Sequence, residues 1–480
     1  MRFKAQPIEI PNGDPFANDA LTRRKSAEVL TDFMGSLSQP FVLAVDAPFG
    51  MGKTTFINMW MQHLRNEHFS CLYFNAWETD FTESPLVSLI GEISAEIKAL
   101  KLEKKNKTIA KFLKQTQKVG ATLVKADIPI AVKMATSGLL DLSHIKEGDL
   151  AKAAEELAKK QIEKYQEDKK TIHRFKEDLA ALVSALAEHE GAQSPKPVIF
   201  VIDELDRCRP PYAIELLEKI KHLFSVQGLV FVLAIDRHQL QESTKALYGT
   251  GVDTDGYLRR FIDLEFCLPE PSAEGFVAAQ FSRFGLDEIF AAKVGETQHE
   301  RGFIEQTLSR LFTLFRFSLR TMEQCFTQLA FVLRTTPPEF FLYGNFLSLL
   351  LCLRTANRPL YYQYCRGDIT SREVLDWLRS LPGGGQFIDS SFGMAIEANL
   401  VLGIRDADKR RPLLANYKTL AESDTADRHV SQRADQILHA VSRRSFNMPD
   451  DLTGYLYPKI EFMQRFVKPK ESPEQPTQGT

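Results

Sequence analysis

Short apolar runs bounded by polar residues recur at Phe41 to Val45, Leu72 to Phe74, Val198 to Ile202, Leu229 to Ile235 and Phe261 to Phe266. Their length and continuity predict buried strands. Between them the apolar positions change to helical spacing: after Pro210 and Pro211, the set Ala213, Leu216, Leu217, Ile220, Leu223 and Phe224 lies along one helix face. Strands alternating with helices predict an α/β fold, a parallel sheet flanked by helices.

The gap between the second and third strands is too long for a simple connection. Residues 101 to 190 are crowded with lysine, glutamate and alanine, and opposite charges recur four residues apart from Leu150 to His189. This predicts an insertion of one or two long helices whose charge run is a solvated face. Within it Leu157, Ile162, Tyr165, Phe175, Leu179, Leu182 and Leu186 form a stripe with three places to pack: the insertion itself, the body, or another protein. Beyond Pro269 the pattern is mainly helical. The expected division is a sheet unit from 1–100 and 191–270, the insertion 101–190, a helical C-terminal region 271–470 and a disordered tail 471–480. Phe340 to Leu353 is apolar but short and contains Asn345, which predicts a buried helix and not a membrane span. Gly383 to Gly385 predict a mobile loop.

Composition narrows the partners. A formal net charge of −2 gives no field to recruit nucleic acid, and no basic, aromatic-interleaved tract is visible, so nucleic-acid translocation ranks last among functions. The six cysteines are scattered, without a CxxC pair, and read as buried apolar residues of a reducing compartment. Proline, glycine and charge interrupt the amino terminus before an apolar signal segment can form; a cytoplasmic location is expected.

The chemistry begins after the first strand. Ala47-Pro48-Phe49-Gly50-Met51-Gly52-Lys53-Thr54-Thr55 joins an apolar strand to a helix-forming stretch, the context of a phosphate-binding loop. Gly50 and Gly52 let backbone N–H groups turn inward around phosphate oxygens, and the helix presents its positive end to the same anion. Lys53 is expected on the β and γ phosphates and Thr54 on Mg2+. Ala47 stands where such loops usually start with glycine.

Five apolar residues then deliver Asp203 and Glu204 to the end of the third strand. Asp203 is the expected metal-shell carboxylate, and Glu204 the base for the attacking water. The blander role for one of these acids is a helix cap, for which Asp206 is the better candidate. Asp236, after the fourth strand, fits a γ-phosphate sensor or a cap equally well. Arg259 and Arg260 offer a guanidinium to a neighbouring subunit, or serve on the surface; Arg320 is a candidate for closing over nucleotide from the same chain. No guanine-reading NKxD follows the acidic strand, which favours ATP over GTP.

With these residues in view, the chain resembles the KAP family of P-loop NTPases, a branch of the additional-strand ATPases with AAA+ and STAND proteins. The resemblance spans roughly residues 14 to 335. It rests on DPFANDALTRRKSAEVL, APFGMGKTTF, the tetrad Asn75-Ala76-Trp77-Glu78, IDELDRC, and LAIDRHQL followed by YLRRFIDLEF. It implies a P-loop NTPase sheet with a strand inserted between the loop strand and the acidic strand, and for bacterial relatives a phage-exclusion or defence setting. Many members carry membrane spans in the insertion. Here Lys125, Asp127, Pro129 and Lys133 break the most apolar stretch, 120 to 142, so a span is not expected while peripheral membrane contact stays open. The leading function is an ATP hydrolase acting as the energy or switch component of a multiprotein assembly. Its partners are expected on the insertion or C-terminal region, and a homo-oligomer is one arrangement. The rival is an ATP-held scaffold with little turnover.

Overall fold

The computed structural model describes residues 3–82, 84–99, 108–113, 173–188, 195–223, 225–293, 299–337, 340–423, 427–442 and 451–462, with positions 159, 163, 166 and 170. The chain forms two compact units, Ile8–Glu270 and Pro271–Thr480 joined by Met1–Pro7.

The first unit is built on five strands: β1 (Phe41–Asp46), β2 (Cys71–Asn75), β3 (Val198–Asp203), β4 (Leu229–Ile235) and β5 (Leu264–Cys267). All neighbours are parallel, in the order β2-β3-β4-β1-β5. The acidic strand β3 is thus separated from the loop strand β1 by β4. β3 and β4 are buried along their whole length, as their unbroken Val, Ile, Leu and Phe runs require of strands covered on both faces. The register sets Asn75 beside Asp203, Asp203 beside Ala234, and Asp46 beside Ile235. These residues line the carboxyl edge of the sheet, where parallel α/β folds bind ligands.

Helices cover both faces. α1 (Arg24–Gly35) and α2 (Lys53–Asn66) enclose one apolar cluster with Leu43, Val45, Val201 and Val232. At its centre the buried Trp60 Nε1 donates to Thr31 Oγ1 at 3.0 Å. On the other face α3 (Pro85–Ala99), the helical residues α4 (173–187) and α5 (Pro210–Leu223) pack on Leu72, Phe74, Phe200 and Phe231. α6 (Arg237–Tyr248) and α7 (Thr254–Leu258) follow β4.

Two expectations change here, and a third, left open, is resolved. β5 starts at Leu264 and not at Phe261, because residues 254–258 turn helical and Phe261 drops its ring into the core at 8% exposure. Asp263 opens the pairing instead: its carboxylate accepts the Val42 N–H at 2.8 Å and its own N–H donates to the Val42 carbonyl at 2.9 Å. Second, Gly384 and Gly385 begin the helix Gly384–Asp389, with Gly383 as its left-handed N-cap. A Cβ on Gly384 would stand 1.9 Å from the Leu378 carbonyl, so that glycine serves close packing and not mobility. Third, of the partners open to the insertion's stripe, Phe175, Leu179, Leu182 and Leu186 take the body and are buried on the sheet. Leu157, Ile162 and Tyr165 lie outside the described residues, as do 471–480.

The second unit is helical. Helix Gly344–Ala356 is buried from Phe346 to Leu353, and Asn345 is satisfied there by the Thr307 hydroxyl at 2.7 Å. Among the described residues no helix is long and apolar enough to cross a membrane.

Ile109, Phe112 and Leu113 join α4 in the same core cluster. A short linker replacing 101–190 should therefore abolish the cooperative melt seen by scanning fluorimetry, whereas one replacing only 114–172 should keep it. A preserved melt in the first variant would show that this sheet face does not need its cover.

Candidate functional site

The loop from β1 to α2 is shaped by two left-handed glycines, Gly50 at φ 82° and Gly52 at φ 80°, where any side chain would be strained. Ala47 is not among the positive-φ residues and is packed into the core at 3% exposure, so its methyl group costs the loop no backbone strain. Its N–H donates to the Ile235 carbonyl, which continues the pairing of β1 with β4. Pro48 and Phe49 are exposed; Met51, Thr54 and Thr55 are half-buried. The Lys53 ammonium is folded back to donate to the Ala47 carbonyl.

Beneath the loop lies Arg23, 3% exposed. Its guanidinium donates to the carbonyls of Gly52 at 3.2 Å, Met51 at 2.8 Å and Pro269 at 3.4 Å. Burial pulls its pKa down to about 10. In a trans peptide the C=O and N–H point in opposite directions. Fixing the Met51 and Gly52 carbonyls on Arg23 therefore aims the N–H groups of Gly52 and Lys53 the other way, toward an incoming anion.

Asp203 is fully buried. Burial raises its carboxyl above the usual range, and the Thr54 hydroxyl, the Glu204 N–H at 2.8 Å and the Tyr73 hydroxyl at 3.3 Å oppose that shift. Thr54 and Asp203 therefore touch, one at the start of α2 and the other at the end of β3. Two oxygen donors of this kind suit a hard divalent cation.

Glu204 sits at φ 61°, ψ 24°, a left-handed conformation that costs a non-glycine residue on the order of 1 kcal/mol or more. Its carboxylate is gripped at both ends: Oε1 is 2.6 Å from Arg207 Nη1, and Oε2 accepts from Asn75 Nδ2 at 3.5 Å. Asn75 is itself fixed, since Oδ1 accepts the N–H groups of Trp77 and Glu78. The Arg207 guanidinium lies 4.6 Å from the Phe49 ring centroid and 5.8 Å from that of Trp77.

The other acids divide differently from the sequence expectation. Asp206 does not cap a helix; its carboxylate accepts the Asp236 N–H, burial raises it, and the Lys53 charge opposes the rise. Its Oδ1 is buried without a hydrogen-bond partner. Asp236 combines a cap with a loop contact: Oδ1 accepts from Gln239 N–H of α6 and Oδ2 from Phe49 N–H at 3.1 Å. Arg259 and Arg260 follow α7 and are exposed, with Arg260 over the Tyr257 ring at 5.8 Å; neither has an ion pair among the described residues. Arg320 is exposed on helix Leu319–Thr335 of the second unit.

Arg23, Tyr73 and Arg207 were not singled out from the sequence: Arg23 and Arg207 stood only as letters of the quoted segments and Tyr73 as one position of a strand run, and their partners are 28 or more residues away or on a turn. Asn75 was visible only as one letter of the tetrad. A buried arginine beginning a helix is a sign that backbone carbonyls await it.

The model of the KAP family P-loop domain matches residues 23–336. Uncharacterized protein MJ0182 of Methanocaldococcus jannaschii is 31% identical over 182 residues, which are 35% of this chain and 91% of that protein. Among solved structures, the ORC2 protein of Aeropyrum pernix in its ADPNP-ADP complexes aligns with a TM-score of 0.32 and 13% identity, covering 92% of this chain and 94% of that one. Its ADP form aligns with a TM-score of 0.30, at the same identity and coverage.

The raised carboxyl of Asp203 carries a stability consequence. For an acid whose folded pKa lies above its unfolded value, the stabilisation is complete below the unfolded pKa and is lost as pH rises through the folded one. At neutral pH the penalty of a buried charge is therefore present. Asp203→Asn should melt at a higher temperature than the wild type when neither is given Mg2+ or nucleotide, and should gain nothing when both are added; scanning fluorimetry reads both. A variant that melts lower and still responds to Mg2+ with nucleotide would contradict this account.

Proposed function

This chain belongs to the KAP family of P-loop domains, and from that premise we propose that it is a cytoplasmic ATPase serving as the energy or switch component of a multiprotein assembly. The observation that carries this reading is the convergence of Lys53, Thr54, Asp203 and Glu204 on one edge of the sheet, with Thr54 bonded to Asp203 and Glu204 held beside it.

Gly50, Gly52 and the start of α2 surround the phosphates with N–H groups, and Lys53 exchanges its Ala47 carbonyl for the β and γ oxygens. Thr54 and Asp203 would hold Mg2+, which would supply charge neutralisation to the phosphates when bound. Glu204 orients a water and accepts its proton as the water oxygen bonds to the γ phosphorus. The bond from that phosphorus to the β-γ bridging oxygen breaks, and ADP and phosphate leave, the proton passing on to phosphate or solvent. Asp236, through Phe49 N–H, registers the loop's position. Arg259 and Arg260 are suited to compensate charge in a neighbouring copy because they are exposed and make no ion pair among the described residues, and Arg320 is proposed to close over the nucleotide. Partner proteins are proposed on the insertion or the C-terminal unit, with the phage-defence setting of the resemblance as the context.

A nucleotide-held scaffold is the rival, and Glu204 separates the two. Lys53→Ala should abolish tight ATP binding in calorimetry, since the phosphates lose their mobile cation; unchanged affinity would remove the site assignment. Glu204→Gln should keep binding and lower turnover by about a hundredfold or more, the range that general-base removal spans. Phosphate release at the wild-type rate in that variant would favour the scaffold or move the base to Asp206.

A further inference from the structure

Three segments of the proposed site meet on one side chain that the mechanism above does not use. The Arg207 guanidinium is paired with Glu204 at 2.6 Å and lies against the rings of Phe49, from the phosphate loop, and Trp77, from the turn after β2. Both rings are about half in water, 46% and 53% exposed, so the core does not hold them there. Arg207 itself ends a short 3-10 turn, Leu205–Arg207, and its side chain is 33% exposed. It could reach solvent; it is folded inward over the loop.

A guanidinium so placed has a second anion within its choice once a nucleoside triphosphate occupies the loop. Phosphate oxygens match the planar fork better than one carboxylate oxygen does, and the cation–π contacts with the two rings hold the guanidinium over the loop whichever anion it pairs with. Glu204, by contrast, has Asn75 to retain its other oxygen when Arg207 leaves.

We infer that Arg207 is handed over from Glu204 to the terminal phosphate of ATP. While the pair holds, Glu204 Oε1 is committed to a guanidinium N–H and is a poor acceptor for water. The handover frees that oxygen and brings positive charge to the phosphate in the same movement. ADP has no γ phosphate to draw Arg207 away, so the base is armed only by the triphosphate. This inference rests on the reading of the loop as an ATP site.

The experiment is calorimetry of MgATP and MgADP on the full-length wild type, Arg207→Gln, Glu204→Gln and Lys53→Ala. Arg207→Gln should weaken ATP by about tenfold while ADP stays within about twofold, the loss of one charge-assisted contact to the terminal phosphate. Glu204→Gln, which releases the guanidinium from its carboxylate, should tighten ATP and leave ADP unchanged. Equal losses for both nucleotides, or none, in Arg207→Gln would reduce Arg207 to a structural clip and overturn the handover. If that variant fails to melt cooperatively, the Glu204→Gln arm decides, and an unchanged ratio of ATP to ADP affinity overturns it. Lys53→Ala separates the two readings: loss of both nucleotides there with an unmoved ratio in Arg207→Gln defeats only the handover, whereas normal binding by Lys53→Ala defeats the site and the handover together.

Discussion

A carboxylate with no surface in water needs donors from the protein, and at Asp203 they come from three separate places: Thr54 at the start of α2, Tyr73 on β2 and the Glu204 backbone. Each of those positions depends on the sheet. The strand order brings β2 alongside β3 and sets β4 between β3 and the phosphate loop, so the hydroxyls of Thr54 and Tyr73 approach Asp203 from opposite sides in the chain's topology. A slip of one residue in β3 would turn Asp203 to the other face and leave a buried charge without its donors, a cost of several kcal/mol. The long apolar runs of β3 and β4 fill both faces of the sheet, and Asp203 at the end of β3 is the polar position that marks the register.

Around this fixed point the remaining charges are arranged to be movable. Lys53 rests on a backbone carbonyl and Arg207 on Glu204, each a contact that a phosphate oxygen can replace at little loss. Asp206, half-buried with Oδ1 short of a partner, is raised by burial while the nearby Lys53 charge opposes the rise, so the two groups sense each other. The strained backbone of Glu204 belongs with this pattern, since local strain persists where the surroundings over-determine a residue.

Much of this was legible in the sequence because the chemistry lies at strand ends. Apolar runs announce buried strands, and the residues just beyond them, Asp203, Glu204 and Asp236, fall on the ligand edge by topology alone. The fold class and the loop followed from the same signals, whereas the inserted strand was what the family resemblance implied. What could not be read was pairing at a distance. Arg23 is indistinguishable from the adjacent Arg24 as a letter, yet one is buried under the loop and the other is an exposed partner of Asp14. For a related reason the stripe of the insertion left its packing partner open: the charge run is a property of composition, whereas the anchoring of α4 on Phe200 and Phe231 depends on a sheet face that only the assembled fold supplies.

The three carbonyls on Arg23 belong to two different stretches of chain, Met51 and Gly52 in the loop and Pro269 beside the residue that ends the first unit. One side chain thus satisfies the anion cradle and the chain's exit from the sheet at once. If the exit has two arrangements that Arg23 serves unequally, thermodynamic reciprocity follows: an anion that prefers one of them shifts the exit, and a pull on the exit alters anion affinity by the same factor. The polypeptide leaving the sheet is then a handle on the cradle, and a mechanical load applied there acts as a negative or positive effector without touching the ligand.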